Sequence, residues 1–205
     1  MLLRSLRPFA GHPEVAHVAI VLPAASAATP PDWLGQLLGG TVSLVAGGAE
    51  RQQSVAAGLA ALPAGCSVIL VHDAARPFVE RAVIDGVIAA ARAGHSALAA
   101  VQLSDTLKQT AEDGRTVERT VPRKGLWRAQ TPQGFPRQVL VAAHAAASSS
   151  AGHIDSPASD DAVLVERAGG RVVVVEDLAT NFKITTADDL ALAEAWAEHG
   201  GGAAR

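Results

Sequence analysis

The chain has 205 residues, 49% of them hydrophobic and 18% charged, with a net charge of −3 and one cysteine, Cys66. That length suits one domain with a full core, and the balance excludes a disordered chain, a coiled coil and a generic nucleic-acid or membrane-surface footprint. A lone cysteine excludes an internal disulfide and a multi-cysteine zinc site and fits a reducing compartment, the cytoplasm.

The opening stretch to Pro23 mixes arginines with apolar residues. His, Glu and Pro interrupt it, so it reads as neither a signal peptide nor a membrane span. Val18 to Leu22 is the first predicted strand and Val42 to Val45 the second. A helix over Arg51 to Leu62 follows, then a strand at Val68 to Val71 and a helix over Glu80 to Ala93. Ala97 to Val101 and Val172 to Val175 complete the predicted strands. Pro136 to Ser148, Ser159 to Ala168 and Thr186 to His199 complete the helices. The strands are apolar on both faces, as in a parallel sheet covered by helices on both sides, and the strand–helix order predicts an α/β fold. Polar residues from Leu103 to Arg128, with a turn signal at Glu112 to Gly114, predict a projecting β-hairpin arm. Ser148 to Ser159 and the tail after His199 read as mobile.

Four blocks could carry chemistry. In Ser67 to Phe78 a buried strand runs straight into His72 and Asp73, where open α/β sheets bind ligands. Asp73 there could hold Mg²⁺, with Arg76 as a fixed positive charge. The alternative is that Asp73 caps the next helix and Arg76 is its surface partner. In Ala46 to Leu59, Gly47 and Gly48 end a strand. Paired glycines admit a ligand to the backbone, and the helix start near Glu50 offers free N–H groups; the alternative is a plain glycine turn with Ser54 on a helix face. In Thr120 to Phe135, Arg123 and Lys124 precede Thr131, a setting for a phosphate or a solvated arm. Ser159-Asp160-Asp161 reads as a helix cap with acidic first-turn residues. Lys183, flanked by hydroxyls before a helix capped by Thr186 with Asp189, reads as a phosphate contact or a solvated lysine.

Taken in order, GGAERQQSV, VHDAARPF, DTLK at Asp105 to Lys108, RKGLWRAQTPQGF, SDDA and NFKIT resemble one family: 2-C-methyl-D-erythritol 4-phosphate cytidylyltransferase. The resemblance runs from about Leu3 to about Glu198. It implies a Rossmann-like nucleotidyltransferase fold and transfer of CMP from CTP to a polyol phosphate, with Mg²⁺, in a homodimer. By similarity Gly47, Gly48 and Ser54 would meet the nucleotide, and Asp73 the metal and substrate, supported by Arg76. Thr106, Arg123, Thr131, Ser159 and Lys183 would hold the methylerythritol phosphate, with Arg123 and Lys183 aiming its oxygen at the α-phosphorus. The arm, about residues 103–128, would reach a neighbouring subunit, so Arg123 could serve the partner's site.

One departure stands out. The family opens with a strand and a glycine-rich loop bearing Arg and Pro-Lys-Gln around the triphosphate, which nothing here matches. The expectation is therefore a sheet lacking its first, central strand, a Met1 internal to a longer reading frame, and little turnover from the chain as written. The rival readings are a ribitol-5-phosphate cytidylyltransferase, which typically carries valine at the position of Ala75, and a truncated, non-catalytic relative. A dinucleotide-dependent oxidoreductase is disfavoured by the absent GxGxxG.

Overall fold

Valine, isoleucine, leucine and alanine runs form most strands of the core, and helices cover both faces. The structure is a computed structural model and describes residues 1–149 and 158–199. The expected mobile loop lies mostly outside the described residues, as does the expected frayed tail.

Strand β1 (Val18–Leu22) pairs in parallel with β2 (Val42–Ala46), Ile20 opposite Leu44. A second sheet has the order β3 (Val68–Val71), β7 (Trp127–Pro136), β4 (Ser96–Gln102), β8 (Val172–Glu176). Here β7 runs antiparallel to both neighbours, so β3, β4 and β8 share one direction. Strands β5 (Leu107–Thr110) and β6 (Val117–Val121) form the expected hairpin as a separate two-stranded sheet, with Ala111 N–H donating to Thr116 O at 2.9 Å across the turn.

Helices α1 (Leu2–Ala10) and α5 (Arg81–Arg92) cover one face, where Phe9, Val83, Ile84 and Ile88 cluster with Ala99. Helices α4 (Arg51–Ala61), α6 (Arg137–Ser149) and α7 (Asp161–Arg167) cover the other, where Leu59, Leu140 and Leu164 meet Ile69 and Phe135. Short helices α2 (Ala24–Ala28) and α3 (Asp32–Gly35) lie in the β1–β2 connection, and α8 (Ala187–Glu198) closes the described chain. The fold is thus the expected α/β architecture, with boundaries within two residues of those read from periodicity.

Three differences have physical causes. The segment from Trp127 was given no strand, its first two residues being read as the end of the arm, yet it becomes β7, in the middle of the sheet. Gly134 permits this: a Cβ there would lie 2.4 Å from Val87 Cγ1, so only glycine lets α5 pack this close. The valines of β8 were expected to be buried, but Val173 and Val174 are 37% and 45% exposed because β8 is the last strand of its sheet. Finally, Asp160 rather than Ser159 is the N-cap of α7, accepting from Val163 N–H at 3.0 Å.

The sheet is also open between β1 and β3. Each has a hydrogen-bonded strand on one side only, and a cleft of about 490 Å³ lies between them, lined by both strands. The expected break in the sheet is present. Both strands are half-buried, with Ile20 and Ile69 alone fully covered, whereas Ala97, Ala99 and Ala100 of β4 are 0% exposed.

Candidate active site

Strand β3 delivers Asp73 two residues past its end, and three cations converge on that carboxylate. Lys183 Nζ, from the loop between β8 and α8, lies 3.0 Å from Oδ2; Arg76 Nε lies 3.7 Å from Oδ2 and Arg51 Nε 3.7 Å from Oδ1. Burial alone would raise the Asp73 pKa. The Lys183 hydrogen bond and charge, then Arg51 and Arg76, outweigh it and hold the carboxyl below its ordinary range. Burial has the opposite outcome at Arg76, where it outweighs Asp73 and Asp177 and lowers the guanidinium. Lys183 and Arg76 thus stand beside Asp73 at the carboxyl edge of the sheet, where cations suit phosphates, while Arg51 is shared between Asp73 and Asp161.

The turn that holds Asp73 is fixed by a directed chain of hydrogen bonds. His72 Nε2 lies 3.0 Å from the Arg76 carbonyl, which can only accept, so Nε2 carries the proton. Nδ1 then accepts from the Thr131 hydroxyl at 3.1 Å, and that oxygen accepts from Asp73 N–H at 3.0 Å. His72 is therefore neutral. Burial, with the Phe9 ring 4.8 Å away, lowers its pKa from 6.5 to about 4. Lys183 is positioned the same way: Ile184 N–H donates to Ala75 O at 2.9 Å, tying its loop to the Asp73 turn.

Beneath this lies a buried polar layer. Asn181, 0% exposed, donates to Thr131 O and to Asp177 Oδ2, while its own backbone carbonyl accepts from Arg76 and Gln130. Burial raises the Asp177 carboxyl despite the Asn181 amide and Leu178 N–H. Asp161 is also 0% exposed; Arg51 donates to its Oδ2 at 2.7 Å, and His144 Nε2 sits 2.9 Å from Oδ1. Burial lowers the Arg51 pKa, but Asp161, then Asp73 and Asp160, raise it further, so the net shift is upward.

The structure gathers Asp73, Arg76, Thr131 and Lys183 as expected residues of one site. Thr131 is 4% exposed, with its hydroxyl committed to His72 and Asp73. Arg123 is exposed on the arm beyond β6, Thr106 is exposed just before β5, and Ser159 is exposed before α7. None of the three joins the Asp73 cluster. Gly47, Gly48 and Ser54 do sit together, but the helix start there is not free. Gln53 Oε1 accepts from Ala49 and Glu50 N–H, and Glu50 caps the first turn. A Cβ at Gly48 would come within 2.4 Å of Gln53 Cβ and one at Gly47 within 2.7 Å of Ser54 Oγ, so the helix's own side chains require both glycines. Arg51, Asp161, His144 and Asn181 were missed. Arg51, Asp161 and Asn181 lay within the quoted blocks, but an acid in a helix's first turn reads as a capping charge until its burial is known.

The family model for IspD, 2-C-methyl-D-erythritol 4-phosphate cytidylyltransferase, matches residues 1–199. This chain belongs to that family. A 2-C-methyl-D-erythritol 4-phosphate cytidylyltransferase of Salinibacter ruber is 41% identical over 196 residues, 95% of this chain and 80% of that protein. One of Frankia casuarinae is 48% identical over 82% of this chain, which spans 62% of that relative's length. The crystal structure of the Thermus thermophilus cytidylyltransferase superposes with a TM-score of 0.81 at 39% identity, covering 96% of this chain and 88% of that one. The expected family and nucleotidyltransferase fold are both shown.

Proposed function

We propose that this protein transfers CMP from CTP to 2-C-methyl-D-erythritol 4-phosphate, releasing pyrophosphate, and that it does so as a cytoplasmic homodimer. The observation that supports this is Asp73 at a strand end with Lys183, Arg76 and Arg51 around it, in a chain of this family. A phosphate monoester oxygen of the alcohol attacks the α-phosphorus of CTP, and the P–O bond to the β-phosphate breaks. The nucleophile is already ionised near neutral pH, so no general base is needed. Positioning and charge neutralisation supply the rate, and Lys183 is placed to orient the attacking phosphate. Thr131 acts by holding the Asp73 turn. Gly47, Gly48 and Ser54 form the wall assigned to the nucleotide. No helix among the described residues is long and apolar enough to cross a membrane.

Among the described residues no three His, Cys, Asp or Glu side chains gather as a metal site, and Asp73 is the carboxylate at the strand end that could take part in holding an ion. That fits Mg²⁺, which is held by one or two carboxylates with substrate phosphates completing its shell. Bound there, the ion would neutralise triphosphate charge. Arg123 and Thr106 sit on a hairpin separate from the core sheet, which suits an arm serving a neighbouring copy's site.

Assaying the native protein, purified from its source, for pyrophosphate release with CTP tests the reading. Turnover with methylerythritol phosphate and little with ribitol 5-phosphate is expected. Preference for ribitol 5-phosphate, or no CTP-dependent release with either, overturns it.

A further inference from the structure

Lys183 is the most exposed of the three cations at Asp73, and it stands on the loop between β8 and α8. Its side chain is a long, flexible stem, so the ammonium keeps its place only if the backbone beneath is fixed first. Two anchors flank it. On one side Ile184 N–H donates to Ala75 O at 2.9 Å. On the other stands Asn181, and between the two the Phe182 ring packs on Phe78 with centroids 5.7 Å apart.

Asn181 is 0% exposed and joins four groups. Its carboxamide nitrogen donates to Thr131 O at 2.8 Å and to Asp177 Oδ2 at 2.6 Å, which ties β7 to the end of β8. Its backbone carbonyl accepts from Arg76 Nη1 at 2.8 Å and from Gln130 Nε2 at 3.0 Å. The side chain needs two N–H donors on a short stem. Aspartate has none and would set a second carboxylate beside Asp177; serine has one donor and alanine none.

Stability does not account for this residue. Among the described residues the buried side-chain atoms with no hydrogen-bond partner are Asn181 Oδ1, Gln130 Oε1 and Arg76 Nε, and all three belong to residues joined at the Asn181 carbonyl. Unmet buried polar atoms are costly, and their gathering here marks a place where orientation is kept at the expense of stability.

We propose that Asn181 is a positioning residue for Lys183: it fixes the loop from below, so that the ammonium stands at Asp73 before any phosphate arrives. Buried as it is, Asn181 acts only through the groups it holds. The inference rests on the reaction proposed above for what Lys183 does, and on the hydrogen bonds alone for how it is held.

Two readouts test it. The chain's lysines are Lys108, Lys124 and Lys183, so isotope-labelled reductive methylation of the full chain gives few dimethyl-lysine signals, and Lys183→Arg assigns the one that matters. Lys183 is expected to resonate apart from Lys108 and Lys124, and Asp73→Asn to move it towards them. Asn181→Ala, or Asn181→Ser should the alanine variant not fold, is expected to move it the same way by at least about half as much. His12→Ala breaks a buried bond to Asp85 that involves none of these residues and is expected to leave the signal in place. A Lys183 signal that coincides with Lys124 in the unaltered protein, stays put on loss of the Asn181 amide, or moves equally in His12→Ala would overturn the proposal. In kinetics, Asn181→Ala is expected to lower kcat about thirtyfold with less than about a threefold change in the KM for CTP, and to cost less than about threefold more in a Lys183→Ala background. Equal losses in both backgrounds would overturn it. Absence of CTP turnover in the unaltered protein would overturn the reaction instead, and the Lys183 signal would then decide the positioning role.

Discussion

Strands β1 and β4 are built from the same kinds of residue, VAIVL and SALAAVQ, and end up in different environments. β4 is flanked on both sides, by β7 and β8, and its core alanines are 0% exposed. β1 is flanked on one side, and four of its five residues stay half-buried beside the cleft. Composition is not what separates them; the number of ladder partners is. The site lies where the two regimes meet. Asp73, Thr131 and Lys183 come from the closed sheet, while Arg51 comes from the β2 side and bridges to both Asp73 and Asp161. Ser5 of α1 adds a second tie, donating to Ala74 O at 2.7 Å.

Removing the charge on which both sides converge should have the largest effect. Asp73→Asn leaves Arg51, Arg76 and Lys183 without their shared partner and withdraws the carboxylate proposed to help hold a metal ion. A fall in kcat/KM of about 10³, about 4 kcal/mol of transition-state stabilisation, is expected with a near-native circular dichroism spectrum. A fall below tenfold would show that the cations alone organise the site. Lys183→Ala should follow in the same direction, because Lys183 contacts Asp73 most closely.

Much of this was legible in the sequence, and the boundary has a physical shape. β-branched runs mark strands wherever they lie, so β1, β3 and β8 were found, and helical spacing placed the five long helices after β2. Burial was misjudged at β8 because an apolar run reads alike in a central and an edge strand. β7 was missed because Pro132 and Gly134 are residues that strand interiors disfavour, and the close α5 contact that needs Gly134 is tertiary. At the site, Asp73 was legible from strand-end position alone. Arg51 and Asp161 are 110 positions apart, and the ion pair that makes them one unit exists only once the two parts of the sheet are brought together.

The His72 relay belongs wholly to the closed side and makes that side sensitive to acid. The unfolded chain binds the imidazole proton near pH 6.5, the folded protein near 4. Stability is therefore fully present above about pH 6.5 and declines as the pH falls towards 4, by on the order of 3 kcal/mol. Protonating Nδ1 would also expel the Thr131 hydroxyl, with Asp73 and Arg76 the nearest charges. Urea midpoints of metal-free protein across that interval should show the slope, and His72→Asn should flatten it. An unchanged slope would assign the acid sensitivity to other groups.

The bridge across the sheet can be cut at Asp161. Asp161→Ala leaves His144 and Arg51 without their buried acceptor. Arg51 is a third exposed and can regain water, so a cost of about 2–3 kcal/mol is expected, below that of breaking a fully buried pair. Cooperative unfolding should split, with residues 18–46 exchanging faster than 96–102. If all strands accelerate equally, Arg51 is a surface ion pair and not the tie between the two parts.

The smallest effect is the most discriminating. Val87→Ala removes two carbons from a side chain that is 0% exposed, jammed against Gly134, and should cost ~2 kcal/mol. Val68→Ala removes the same atoms from a half-buried side chain lining the cleft, where space and solvent are already present, and should cost below ~1 kcal/mol. Urea denaturation of the two variants measures the difference directly. Equal penalties would show that β3 is packed as tightly as the sheet beyond it.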